Sequence, residues 1–163
     1  MLNVRLQLEG HPTTDVRTAH ALEVALAKIS SPTGPTWVVL DAGADGYCQA
    51  AGSDGRYVVE FREQFGEGFR HWRVGTGDER SPEVTTVLKN QRCPLGKHSP
   101  RGCPLSVAVN QVVSLHDAEA VLRHFRVTGQ RLTTYAWHDV TEELRPNTDD
   151  EGDGEIRPIL PSR

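Results

Sequence analysis

The chain opens on strict alternation. Leu2, Val4, Leu6 and Leu8 take turns with Asn3, Arg5, Gln7 and Glu9, the period of a strand with one buried and one wet face. Gly10, His11 and Pro12 end it. The spacing then changes: Leu22, Ala25, Leu26 and Ile29 fall on one side of a helix that Thr18 can cap, and Ser30, Ser31 and Pro32 stop it. Four further strands follow, Thr36 to Leu40, Tyr47 to Ala51, Arg56 to Glu63 and Gly68 to Val74. The turns between them carry Gly-Ala-Asp-Gly, Gly-Ser-Asp-Gly and Gly-Glu-Gly, which tolerate tight or left-handed geometry. Connections this short predict antiparallel pairing, hence a meander.

A second amphipathic helix begins after Ser114. Its hydroxyl can cap the first turn, and Asp117 sits where a reciprocal acid belongs. Leu115, Ala118, Val121, Leu122 and Phe125 recur at three- and four-residue steps and form one apolar stripe. Gly129 supplies a left-handed stop. The pattern predicts a hydrophobic strand before this helix, Val107 to Val113, and an aromatic one after it, Thr133 to His138, with Tyr135 and Trp137 on one face. Helix, meander, strand, helix and strand together predict an α+β fold: a mostly antiparallel sheet with two main helices packed on one face.

Two stretches resist this reading. Residues 75–106 form a long loop rich in Pro, Gly and Cys, interrupted by a short helix or strand at Glu83 to Lys89. Beyond Leu144 the chain turns acidic and Pro/Gly-rich, the composition of a disordered tail, so the expected organisation is one domain over 1–144 and a tail over 145–163.

The segment ending HFRVTGQRLTTYAWHDV, with its preceding strand, resembles the C-terminal part of the first-numbered immunity-protein family of bacterial polymorphic toxin systems, often found beside deaminase toxins. Phe125, Thr128, Gly129 and Trp137 carry the resemblance, and Arg131-Leu132 stand where the family's turn commonly holds a proline. It implies a protein that sits against a cognate toxin domain and blocks it, without catalysis or cofactor.

Charge changes the picture in one respect. Seven acids and three arginines lie from Glu142 onward, which accounts for the whole net charge of -4. The remainder is formally neutral and lacks the basic footprint of a nucleic-acid binder. No apolar run approaches the roughly 18 residues of a membrane helix, and the N-terminus lacks the order of a signal peptide, so a cytoplasmic protein is expected.

Three cysteines fit reduced thiols better than a disulfide framework. Cys93, His98 and Cys103 bring two thiols and an imidazole into one loop, but structural zinc wants four ligands. Free thiols, a bridge and a metal all stay open, and a small regulatory or zinc-binding module centred on Cys93 to Cys103 is the rival to the immunity reading. None of the seven histidines joins a hydrolase or metalloprotease motif, and no phosphate-binding loop or dinucleotide fingerprint occurs.

A toxin that acts on nucleic acid, a deaminase or nuclease, needs an electropositive cleft, and its inhibitor should offer carboxylates. Asp41, Asp45, Asp54, Glu60 and Glu63 lie in or beside the meander. Alternation puts Trp72 on one face with Arg70 and Val74, and His71 on the other with Phe69 and Arg73. Arg70 and Trp72 are either a core tryptophan with a solvated arginine or a binding patch of the residue types that dominate interfaces.

Overall fold

A computed structural model describes residues 2–31, 33–89 and 103–144, with backbone alone at 88–89 and 103–104. The alternating N-terminus forms β1 (Arg5–Leu8), which turns back into β2 (Thr14–Asp15). Helix α1 (Ala19–Ile29) follows, with the Thr18 hydroxyl accepting from the Ala21 amide at 3.3 Å. The meander is β3 (Trp37–Asp41), β4 (Gly46–Ser53), β5 (Arg56–Phe65) and β6 (Gly68–Gly75). Then come β7 (Val84–Lys89), β8 (Cys103–Ala108), α2 (Leu115–Thr128) and β9 (Ala136–Asp139).

Seven strands form one antiparallel sheet in the order β2-β1-β3-β4-β5-β6-β9, and β7 pairs with β8 in a separate ribbon. The α+β architecture read from the hydrophobic pattern is the observed one. Two details differ. The strand expected over Val107–Val113 stops at Ala108, where a 3₁₀ turn, Val109–Gln111, tucks the Gln111 side chain inward, and only Val113 bridges back to Tyr57. The segment at 83–89, open between helix and strand, is a strand, because β8 offers it a partner. Cys93, His98 and the acidic stretch 145–163 lie outside the described residues, as does the Cys103 side chain.

Both helices cover one sheet face. Leu22, Leu26 and Ile29 of α1 and Val121, Leu122 and Phe125 of α2 pack with Leu6, Val38, Leu40, Ala50, Val59 and Phe61 in one apolar cluster. Each such side chain is worth about 1.5–3 kcal/mol on burial, so this layer is the main source of stability. Ser114 and Asp117 form the reciprocal cap that their spacing predicts: each backbone N–H donates to the other's side chain, at 3.3 and 3.2 Å.

The opposite face is built differently. Val58 meets Val87 and Val107 of the ribbon in a small apolar patch, and beside it the sheet is polar. Arg73, 2% exposed, donates twice to Glu60 Oε1, from Nη2 at 2.7 Å and Nε at 3.0 Å. The other Glu60 oxygen accepts from Gln49 Nε2 at 2.6 Å. Arg73 Nη1 reaches Gln111 Oε1 at 3.3 Å and Glu143 Oε2 at 3.4 Å, and Glu143 also pairs with Arg80. The Gln111 amide nitrogen contacts His138 Nδ1 at 3.1 Å, while His138 Nε2 lies 2.8 Å from the Gly77 carbonyl. A carbonyl can only accept, so Nε2 carries the hydrogen and Nδ1 accepts.

Gly75 is required by this arrangement. A Cβ there would fall 2.4 Å from His138 Cε1, inside the imidazole ring's own space.

Removing one member of a buried charge pair strands the other, at a cost of about 3–5 kcal/mol. Arg73→Met is therefore expected to lower unfolding free energy by about that amount in urea denaturation. Adding Glu60→Leu should recover part of the loss, because the stranded carboxylate is then gone.

Candidate functional site

At the β5–β6 turn the hairpin carries aromatic and charged side chains into solvent. Register pairs Glu63 with Arg70, Gln64 with Phe69 and Phe65 with Gly68. Alternation then puts Glu63, Phe65, Arg70 and Trp72 on the helix side and Arg62, Phe69, His71 and Arg73 on the other. Phe65 and Phe69 remain 56% and 44% exposed.

Arginine guanidinium groups lie over aromatic rings here. Arg62 sits 3.4 Å above the Phe69 centroid, Arg70 3.7 Å above Phe65, and Arg131 3.9 Å above Trp72. Each such contact is worth about 0.5–1 kcal/mol at an exposed site, and it holds a long side chain in one shape. Pre-ordered arginines and aromatics lose little entropy when a second protein covers them.

Arg131 comes from the segment that follows α2. Gly129 ends the helix at φ 68°, in the left-handed region that L side chains rarely adopt. The chain then folds on itself: Trp137 Nε1 donates to the Leu132 carbonyl at 2.9 Å, and the Tyr135 hydroxyl donates to Asp117 Oδ1 at 2.7 Å. Trp137 meets Phe61 edge-on at 6.0 Å, and Phe61 meets Phe125 in the same way at 5.7 Å. Three of the four resemblance positions thus form the core contact, the helix stop and the loop closure. Thr128 adds a bond from the Gln130 amide at 3.1 Å.

Between this loop and the hairpin lies a cleft of about 620 Å³, lined among others by Asp45, Phe61, Glu63, Arg131, Tyr135 and Trp137. Glu63 Oε1 accepts from Trp72 Nε1 at 2.8 Å and lies 3.6 Å from Arg131 Nη2. Asp45 reaches the rim from the 3₁₀ turn Gly43–Asp45.

The seven surface residues singled out by sequence do not stay together. Asp45, Glu63, Arg70 and Trp72 converge on the hairpin and cleft. Asp41 is at the same end of the sheet but pairs with Arg5 and accepts from the Gly43 amide at 2.8 Å. Asp54 occupies the β4–β5 turn, at the far end of β5. Glu60, 8% exposed and bound by Arg73 and Gln49, is committed to the interior and is not free to meet a partner. The periodicity of β5 could not show this, because a strand buried on both faces loses its wet side. Trp72 is half-buried, packed against the core with Arg131 over its ring.

Phe65, Phe69, Arg62 and Arg131 were missed. Phe65 lies two residues beyond the strand end expected at Glu63, while Phe69 falls inside the strand expected over Gly68 to Val74, where alternation gave it a face but no role. Arg131 appears in the sequence only as the departure from a proline.

Two titratable groups are held away from reaction. Burial pushes the Cys48 thiol strongly up, so the thiolate that a nucleophile needs is disfavoured. His71 is buried with its Nδ1 meeting no donor or acceptor among the described residues, and burial first, then Arg62, lowers its pKa. Among the described residues no three His, Cys, Asp or Glu side chains are grouped closely enough to hold a metal ion.

The fold and site define an α+β protein with an aromatic–arginine hairpin beside an acid-rimmed cleft. Comparison with protein-family models, with curated proteins and with solved structures finds no match.

The chain's tyrosines share one prediction. Tyr47 is pushed up to about 12 by burial and then by Glu60, and Tyr135 to about 12 by burial and then by its bond to Asp117. Tyr57 is raised by burial and then by Asp54. The folded chain therefore holds these protons more tightly than the unfolded chain, whose phenols ionise near 10.0. That contribution is whole below about pH 10 and is lost as pH rises toward 12. Stepwise absorbance titration at alkaline pH should show phenolate appearing only with unfolding, and Tyr135→Phe should shallow the alkaline loss of stability.

Proposed function

We propose that this chain is an immunity protein that binds a cognate bacterial toxin domain and neutralises it by covering it, with no catalysis of its own. The observation that carries the reading is the β5–β6 hairpin. Its exposed Phe65 and Phe69, with Arg62 and Arg70 stacked on them, are residue types that concentrate binding energy at protein interfaces. The resemblance at Phe125, Thr128, Gly129 and Trp137 adds the class of partner. A toxin that works on nucleic acid, a deaminase or nuclease, has an electropositive substrate cleft, and Asp45 and Glu63 beside the hairpin are carboxylates that such a surface would attract. No helix among the described residues is long and apolar enough to cross a membrane. The proposed place of action is the cytoplasm, where an immunity protein meets incoming toxin.

A tagged copy used as bait in lysate of the native organism should retain a stoichiometric protein with a toxic C-terminal domain. Co-expression should then rescue growth. Phe65→Ala with Phe69→Ala should weaken that complex about thirtyfold, the effect of losing one hot spot of about 2 kcal/mol. Wild-type affinity in the double variant, measured by calorimetry, would contradict the assignment of the hairpin.

A further inference from the structure

The cleft between the hairpin and the 129–137 loop carries more information than a general docking surface, because its uncommitted charge has one sign. Its accessible apolar walls are the half-buried Trp137 and Tyr135, with the buried Phe61 behind Trp137. Among the described residues its one lining cation is Arg131, already engaged over Trp72 at 3.9 Å and 3.6 Å from Glu63 Oε1. Glu63 Oε2 accepts no hydrogen bond from a described residue; the Trp72 bond falls on Oε1, the oxygen nearest Arg131. Asp45 makes no hydrogen bond or ion pair with any described residue, unlike Asp41 four positions earlier, which is held by Arg5. Asp45, Glu63 and Arg131 leave a formal surplus of one negative charge in a cleft with aromatic walls.

Building on the immunity reading, we infer that this cleft receives one basic side chain, a lysine or arginine, from the partner protein. The aliphatic stem lies along Trp137 and Tyr135, and the cationic head reaches Asp45 and Glu63 Oε2. Aromatic faces attract a cation as well as its stem, so walls and rim select the same ligand. Among the described residues an anionic side chain finds no uncommitted cation lining the cleft, since Arg131 is taken. A volume of about 620 Å³ leaves room for the side chain together with the loop that presents it. In a toxin that acts on nucleic acid, the basic residue withdrawn into this cleft would come from its substrate-binding surface.

Capped arginine and capped lysine amides are the direct probes, with capped norleucine and capped glutamate amides as controls. The readout is the indole N–H signal of Trp137 in a ¹H–¹⁵N spectrum of the full chain. The basic amides should shift it saturably, the two controls should not, and Asp45→Asn should weaken the response at least fivefold. Asp45 is exposed and has no described partner, so that variant should keep the wild-type thermal midpoint. An equal response to norleucine, or no saturable response to either basic amide, overturns the inference. If the amides bind while the lysate yields no toxin, the immunity reading fails and the cleft assignment stands. If a toxin is captured and Asp45→Asn binds it with unchanged affinity, the cleft assignment alone fails.

Discussion

The Arg73 guanidinium is the constraint on which most of the second sheet face depends. An arginine cannot shed its charge, so a position 2% exposed must surround it with acceptors. Those acceptors come from several places in the chain: Glu60 on β5, Gln111 on the turn before α2, and Glu143 beyond β9. Satisfying one side chain thus fixes where the ribbon's exit turn and the end of the edge strand sit. His138 and Gly75 continue the same logic, because the ring that receives Gln111 needs the space a side chain at 75 would fill. The helix-covered face supplies stability through apolar area, while the polar face supplies a single register.

The hairpin tip is what this scaffold leaves over. Helix α2, the core and the ribbon cover the sheet centre, and β5 and β6 run past them. Beyond that cover, alternation continues with no second layer among the described residues, so Phe65 and Phe69 stay exposed there and arginines fold over them. The 129–137 loop closes the other side of the cleft because Gly129 reverses the chain and Trp137 and Tyr135 tie it down. Core geometry therefore sets the shape of the surface that the proposed function uses.

Much of the fold was legible in the sequence. The period of two in Leu2 to Leu8, the Ser114–Asp117 pair and the stripe from Ala118 to Phe125 are local signals, and local energetics decide them. The polar network was not legible. Glu60 and Arg73 look like the wet face of ordinary strands, and only the long-range meeting with Gln111 and Glu143 reveals that face as interior. The strand expected over Val107–Val113 failed for the same reason: the buried Gln111 bends the chain to reach Arg73. Of the surface residues, Asp45 and Glu63 were recognised by charge, but which carboxylates stay unpaired depends on tertiary neighbours such as Arg5 and Arg131.

We propose the hairpin end of the sheet as the face that meets another protein. Hydrogen–deuterium exchange on the full chain, alone and saturated with its captured toxin domain, tests it most directly. Slowed exchange is expected over 62–72 and 129–137, with the β4–β5 turn at Asp54 unchanged. Protection centred on the β7–β8 ribbon or on the Asp54 turn, with the hairpin exchanging as in the free chain, would contradict it.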